Sequence, residues 1–365
     1  MTNAHGTDSS RAVIAWNRLE DLSARLSKSG VEPGTVPDSE WHIITQTLSL
    51  LVNEKDWSGI LRLRAMFTPL YARDTVTGLD TLQLLDQHAL QAARHVGDKH
   101  ELGHILGSKG HNLHRQGYHR EAIEAFEEAA HHYREAGNDS QALKSYYMTS
   151  LCYRALGKRD QAKQILETVL RQTDPADPWR ANPMQVMAWL IQDEGKLEKS
   201  EKLLLQALHL YRQTDDSDLL VVGALADLGE IADILGHTRE ARGFFEESLS
   251  ILARYQGQYD RQEARTLLKY CEYLIHQKDY VTAMKLLNRA DDKVGRYGHY
   301  YDLLWQIELA KALIYFLEGR FFYALTKIRS VFRIRRHLGL PNTWLIKHVL
   351  RRFAQRLWAL SFITV

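Results

Sequence analysis

The chain has 365 residues, 45% hydrophobic and 25% charged, with a formal net charge of +2, which is ordinary soluble globular material long enough for two compact domains or one extended array. Only seven prolines, few Val/Ile/Thr alternations and abundant Leu, Ala, Glu, Arg and Gln favour an all-helical chain. No apolar run approaches the roughly 18 residues that a spanning helix needs, residues 1–10 lack the apolar core of a signal peptide, and a cytoplasmic location is the expectation. The charge is unevenly spread: after Glu318 there is no acid and there are ten Lys or Arg, which leaves 37 basic against 45 acidic residues up to and including it.

In chain order, residues 1–10 are expected to be disordered, and Val13, Ile14, Leu19, Leu22 and Leu26 mark one amphipathic helix over residues 11–28. Gly30, Pro33, Gly34 and Pro37 then form a linker, with Asp38 or Ser39 placed to cap the next helix. Helices are predicted over residues 41–52, 57–71 and 80–96, less regular than the rest. The last ends at Gly97-Asp98, a glycine stop behind a basic residue.

From residue 103 the chain repeats itself. The segment Gln116-Gly117-Tyr118-His119-Arg120-Glu121-Ala122-Ile123-Glu124-Ala125-Phe126 has apolar or small positions at helical spacing on both sides of a glycine: Leu106, Gly110 and Leu113 before it, Ala122, Phe126 and Ala129 after it. Small Gly110 and Ala122 let two antiparallel backbones approach while Phe126 fills the space beside them. A lone hairpin cannot bury both faces, so it asks for neighbours of its own kind. Aligned on the turn residue, six copies occur, at Gly117, Gly157, Gly195, Gly236, Lys278 and Gly319, with a period near 40 residues. Five residues after the turn stands Ala122, Ala162, Ser200, Ala241, Ala283 or Ala324. Four further on stands Phe126, Leu166, Leu204, Phe245, Leu287 or Ile328. The second helices end at Gly137-Asn138-Asp139, Asp174-Pro175, Asp215-Asp216, Gly257, Gly298 and Gly339-Leu340-Pro341. A final helix is predicted over residues 343–362, placing Ile346, Val349, Leu350, Phe353, Leu357 and Leu360 on one stripe.

These residues resemble the tetratricopeptide repeat family, in the long-period form of kinesin-light-chain-like and bacterial STAND-associated arrays. Gly117, Ala122, Phe126 and Ala129 carry the likeness best, and Leu228, Gly229, Gly236, Ala241 and Phe245 are the next-best copy. It spans about residues 103–342, and departs from the family in lacking most of the closing prolines and in having Lys278 for a glycine. The resemblance implies an all-α fold, a right-handed superhelical solenoid of antiparallel helix hairpins. The expected organisation is residues 1–37 as tail, helix and linker, 38–102 as irregular helices or worn repeats, 103–342 as six hairpins, and 343–365 as a basic amphipathic cap.

No phosphate-binding glycine loop occurs, since Gly157-Lys158 is followed by Arg159 and lacks the preceding glycine, nor does Gly-x-Ser-x-Gly, His-Glu-x-x-His or a Cys-x-x-Cys pair. No catalytic residue and no cofactor is expected. Cys152 and Cys271 lie in different hairpins and are expected to be buried free thiols. Nine of the seventeen histidines lie between His88 and His132. His104, His111 and His114 share one helical face, but only the last two fall within one turn, so they are assigned to a polar surface rather than to a metal.

In the resembled family the first helix of each hairpin lines a concave groove. Transferred residue by residue, the lining is His111, His114, Tyr147, Arg154, Trp189, Gln192, Glu230, Asp233 and Glu272, which passes from basic and aromatic to acidic. That composition suits a protein or peptide ligand, and the resemblance to STAND-associated arrays implies an adaptor, sensor or regulator of bacterial signalling or defence. Peptide-regulated repeat proteins of bacteria are a second parallel, in which an N-terminal helical unit acts on a target; residues 11–72 would take that part. The alternative is a scaffold that meets nucleic acid or an anionic membrane through Arg333, Arg335, Arg336, Lys347, Arg351, Arg352 and Arg356 at the basic end.

Overall fold

The computed structural model describes residues 16–24, 38–71, 79–214, 217–255, 259–295 and 301–337, and among them every regular element is a helix. Residues 16–24 form α1, followed by α2 (Asp38–Glu54), α3 (Trp57–Tyr71), α4 (Leu79–Val96), α5 (Lys99–Arg115), α6 (His119–Glu135), α7 (Asp139–Ala155) and α8 (Arg159–Gln172). A short 3-10 helix, Pro178–Arg180, precedes α9 (Ala181–Asp193); then come α10 (Leu197–Tyr211), α11 (Asp218–Leu235), α12 (Thr238–Ala253), α13 (Asp260–His276), α14 (Tyr280–Gly295), α15 (Tyr301–Leu317) and α16 (Phe321–His337). The chain divides into two compact units, Met1–Leu190 and Ile191–Val365. The expected linker after residue 28 and the expected helix over residues 343–362 lie outside the described residues, as do the terminators at 215–216, 257, 298 and 339–341.

Every turn predicted from the repeat adopts one conformation. Gly117, Gly157, Gly195, Gly236 and Gly319 have φ between +75° and +86°, and Lys278 joins them at +61°. In each, the N–H of the next residue donates to a carbonyl five residues back, as Tyr118 does to Leu113, Lys158 to Tyr153 and Asp279 to Leu274. That bond, with the one from the turn residue itself three residues back, is the Schellman stop: it satisfies two carbonyls that the helix end would otherwise leave unpaired. Gly137-Asn138 makes the same stop between hairpins, and Gly97-Asp98 a close variant in which both N–H groups donate to Ala93; there Asp98 and Asn138 also accept from the N–H of Glu101 and Gln141, starting the next helix at once.

Packing follows from the two recurring offsets. Ala122, Ala162, Ser200, Ala241 and Ala283 are completely buried and Ala324 nearly so, while Phe126, Leu166, Leu204, Phe245 and Leu287 sit at or below 1% exposure. Ile328, the sixth of the large series, departs from it at 37%. In the first unit α5 pairs with α6 and α7 with α8, and α6 also packs on α7; in the second, α11 pairs with α12, α13 with α14 and α15 with α16. The irregular N-terminal helices are not a separate body. Leu19, Ile44, Leu63, Phe67, Leu85 and Ala89 share one core with Leu102 and Ile105 of α5.

One buried charge cluster ties this core to the first repeat. Arg64 of α3 is wholly buried; its Nε donates to Asp86 Oδ1 of α4 at 2.9 Å and its Nη1 to His104 Nδ1 of α5 at 3.0 Å, with Glu101 Oε1 at 3.4 Å. Since guanidinium only donates, His104 accepts through Nδ1 and carries its proton on Nε2. His104 is thereby a structural partner and does not share a free histidine face with His111 and His114.

Candidate functional site

In the first unit the predicted groove residues come together in two groups. The first begins with α7, where Tyr147 and Arg154 stand seven residues apart, two helical turns on one face. Arg154 is exposed and its guanidinium lies 4.6 Å from the ring centroid of half-buried Trp189 on α9, a cation–π contact that leaves the apolar ring at the surface. Tyr147 meets the edge of Trp179, with ring centroids 5.7 Å apart. Burial pushes the Tyr147 hydroxyl up to about 12 although the nearby Arg154 charge pulls it down, so the phenol stays protonated and available as a donor.

Trp179 is not among the residues predicted, because Asp174-Pro175 reads only as the end of a helix. The loop there is longer and structured. Asp177 Oδ1 accepts from the N–H of Trp179 at 2.9 Å, and the Arg180 guanidinium donates to the carbonyls of Leu170 and Thr173 at the end of α8. These bonds hold the 3-10 turn, and with it the indole, against α7. The signal available in the sequence is Asp-Pro-Trp, a cap followed by a proline at the first helical position.

The second group lies at the α5–α6 corner. His111 is exposed, with its ring edge-on to Phe126 at 5.1 Å. His114 is half-buried, and burial, followed by the neighbouring His119 and His111 charges, pulls its pKa down to about 4, so it is neutral near pH 7. One ligand-capable atom from each of His114, His119 and Cys152 lies within 4.8 Å of the others. Sequence spacing groups neither His119 nor Cys152 with His114. Both cysteines are buried and free, as expected.

In the second unit Gln192 and Glu272 are half-buried at helix surfaces. The two acidic positions of α11 have partners from α13: Lys269 Nζ lies 2.8 Å from Glu230 Oε2 and 2.5 Å from Asp227 Oδ1, and His276 Nδ1 bonds Asp233 Oδ2. Burial alone would lower the Lys269 pKa, but Asp227 and Glu230 outweigh it and hold the ammonium above its ordinary value. Glu230 and Asp233 of the predicted acidic stretch are therefore engaged by side chains of the neighbouring helix.

The basic patch needs a correction. Arg333 and Arg336 are exposed, but Arg335 is 1% exposed, with its guanidinium 4.8 Å over the Trp305 ring of α15. The rotation of about 100° between successive helical residues points Arg335 onto α15 and its neighbour Arg336 to solvent. The same helix exposes Phe321, Phe322, Tyr323 and Phe332, so this surface is aromatic as much as basic. Lys347, Arg351, Arg352 and Arg356 lie outside the described residues. Among the described residues no helix is long and apolar enough to cross a membrane.

Comparison with known proteins agrees with this geometry. The tetratricopeptide repeat model matches residues 143–173, which span α7 and α8. No curated protein sequence matches the chain. Among solved structures, a Rap protein complexed with competence and sporulation factor superposes with a TM-score of 0.56 at 13% identity, covering 91% of this chain and 99% of the other. NprR in complex with its cognate peptide NprX gives 0.57 at 16% identity, covering 96% and 94%. The apo quorum sensor NprR from B. thuringiensis gives 0.57 at 14%, covering 91% and 99%. At such identities the likeness is one of fold. With the repeat model on α7–α8, one turn conformation at six repeat corners and a fold shared along most of its length, the chain carries a tetratricopeptide repeat over residues 143–173 within a fold like that of tetratricopeptide-repeat helical solenoids.

Proposed function

We propose that the protein is a non-enzymatic interaction module, a peptide-responsive sensor or regulator, and that it captures a peptide at the α7–α9 face of its first unit. The observation that carries this reading is the Tyr147, Arg154, Trp179 and Trp189 cluster. Two indoles offer apolar area with few rotors to freeze, one half-buried phenol is a donor, and one exposed guanidinium supplies charge, a combination typical of binding hot spots. One similar structure is a Rap protein complexed with competence and sporulation factor and another is NprR with its cognate peptide, which supports a peptide ligand here. The alternative, a nucleic-acid or membrane scaffold at the basic end, loses weight because Arg335 is packed against Trp305.

Selection from a randomised display library of short peptides on the purified full chain tests the proposal. Enriched peptides are expected to carry an acidic group beside apolar residues. Their affinity should fall by more than about 30-fold in Trp189→Ala, the loss of a hot spot worth ~2 kcal/mol or more, and by a similar factor in Arg154→Glu, a change at an exposed side chain. Helical content and melting temperature of Arg154→Glu should match the parent. Peptides that bind both variants as tightly as the parent would sink the assignment to this face.

A further inference from the structure

His114, His119 and Cys152 converge from three successive helices. His114 lies in the last turn of α5, His119 is the first residue of α6 and Cys152 stands one turn from the end of α7. The Gly117 turn brings the two histidines round the hairpin corner, with ring centroids 5.0 Å apart, and His114 Nδ1 stands 3.3 Å from Cys152 Sγ. Cys152 is held at 0% exposure in a core shared with Ala122, Ile123 and Phe126. A free thiol in such a core is by itself only a small apolar side chain.

The second observation concerns His119. Its Nδ1 is buried with no hydrogen-bond partner, a state that costs on the order of 1–3 kcal/mol for a polar atom. Two imidazoles and a thiol make the donor set of borderline-soft cations. With metal–sulfur near 2.3 Å and metal–nitrogen near 2.0–2.1 Å, a tetrahedral ion sets N···S at about 3.6 Å. The observed 3.3 Å between His114 and Cys152 is close to that, and the 4.8 Å limit on the set requires a contraction of about 1 Å, within reach of a side-chain rotation at His119.

We propose that His114, His119 and Cys152 form a site for one Zn²⁺ ion that clamps the α5–α6 corner to α7. Binding forms one metal–sulfur and two metal–nitrogen bonds; the thiol proton leaves to solvent and no electron is transferred. Each imidazole binds through an unprotonated ring nitrogen and the sulfur binds as thiolate, so binding is coupled to loss of the thiol proton. A solvent molecule completes the tetrahedron. Because α5 carries His111 and α7 carries Tyr147 and Arg154, the ion would fix the register of helices that present the candidate peptide face. The metal site stands on its own geometry, whether or not that face takes a peptide.

Titration of the chelator-treated full chain with Co²⁺, then Zn²⁺, tests the site. One equivalent of Co²⁺ should give a near-ultraviolet thiolate charge-transfer band with intense tetrahedral visible bands, and Zn²⁺ should remove both. Cys152→Ser should abolish the charge-transfer band, Cys271→Ser should retain it, and His119→Gln, at a partly exposed helix start, should weaken binding by at least the ~10–100-fold that loss of an outer-shell partner costs. Absence of a thiolate band, its survival in Cys152→Ser, or undiminished affinity in His119→Gln would overturn the proposal. Weak octahedral bands alone would assign the metal to surface histidines, with the same result.

Discussion

Gly110 and Gly229 hold equivalent places in two hairpins, and at each the missing side chain is occupied by an aromatic ring. A Cβ built on Gly110 would lie 2.8 Å from Phe126, and one on Gly229 would lie 2.8 Å from Phe245. Neither ring can retreat, since Phe126 is 1% and Phe245 0% exposed. Gly107 and Gly243 are also helical, yet nothing stands within 4 Å of their added Cβ. The two pairs should respond oppositely to alanine. Gly107→Ala and Gly243→Ala remove backbone freedom from the unfolded chain and should stabilise by about 0.5–1 kcal/mol. Gly110→Ala and Gly229→Ala make the same gain but overpack a closed core, a penalty of about 1–3 kcal/mol, so the net result should be destabilising by about 1 kcal/mol. Urea midpoints of the four variants check this; if all four shifted in one direction, the ring contact would not be what holds these positions to glycine.

At the scale of the element, the hairpin corner is the repeating device, and one of the six repeat corners runs against residue preference, as does the Lys55 corner between α2 and α3. Lys278 closes α13 with φ +61°, where an L side chain crowds the neighbouring carbonyl. It nevertheless makes the same bonds as the glycine corners, from its own N–H to Ile275 and from Asp279 to Leu274, and Asp279 then accepts from the N–H of Thr282 at 3.1 Å to start α14. The second bond and the cap hold the corner in place against the strain. Relieving it should therefore stabilise without altering structure: Lys278→Gly is expected to raise stability by about 1 kcal/mol. Gly236→Ala, at φ +82°, is expected to lower it by a similar amount. Thermal melting of both variants measures the pair, and equal melting would mean that the corner relaxes freely.

Over the whole molecule, what the sequence disclosed was what depends on near neighbours. A stop residue, a small residue five on and a large one nine on lie within three helical turns, so six corners and nearly all of their core positions were legible. Convergence across helices was not. Cys152 is 38 residues from His114, Arg64 lies 22 residues from Asp86 and 40 from His104, and Trp305 covers Arg335 from another helix. Such pairings depend on the rotation of each helix about its axis, which periodicity specifies too coarsely to choose between adjacent positions.

The same limit hid the ion pairs of the second unit, where a lysine of one helix repeatedly meets acids of another: Lys269 with Asp227 and Glu230, Lys293 with Asp260 and Glu263, and Lys327 with Glu308. Asp227 keeps 6% side-chain exposure, so Lys269→Met would leave a carboxylate enclosed without its cation, a loss of about 3–5 kcal/mol. The pH dependence has a defined sign. The pKa of Lys269 is raised above the ordinary 10.5, and that of Lys293 is raised too, burial being outweighed in each by the paired carboxylates. A raised lysine contributes fully below the unfolded value and loses its contribution as pH climbs through the folded one. Melting of the parent should therefore show no loss from these pairs between pH 7 and about 10, and a decline above it. Lys269→Met should begin lower at pH 7 and fall less steeply above pH 10.5. Parallel melting curves for the two proteins across that alkaline range would show that the Lys269 ammonium does not bridge α11 and α13 in solution.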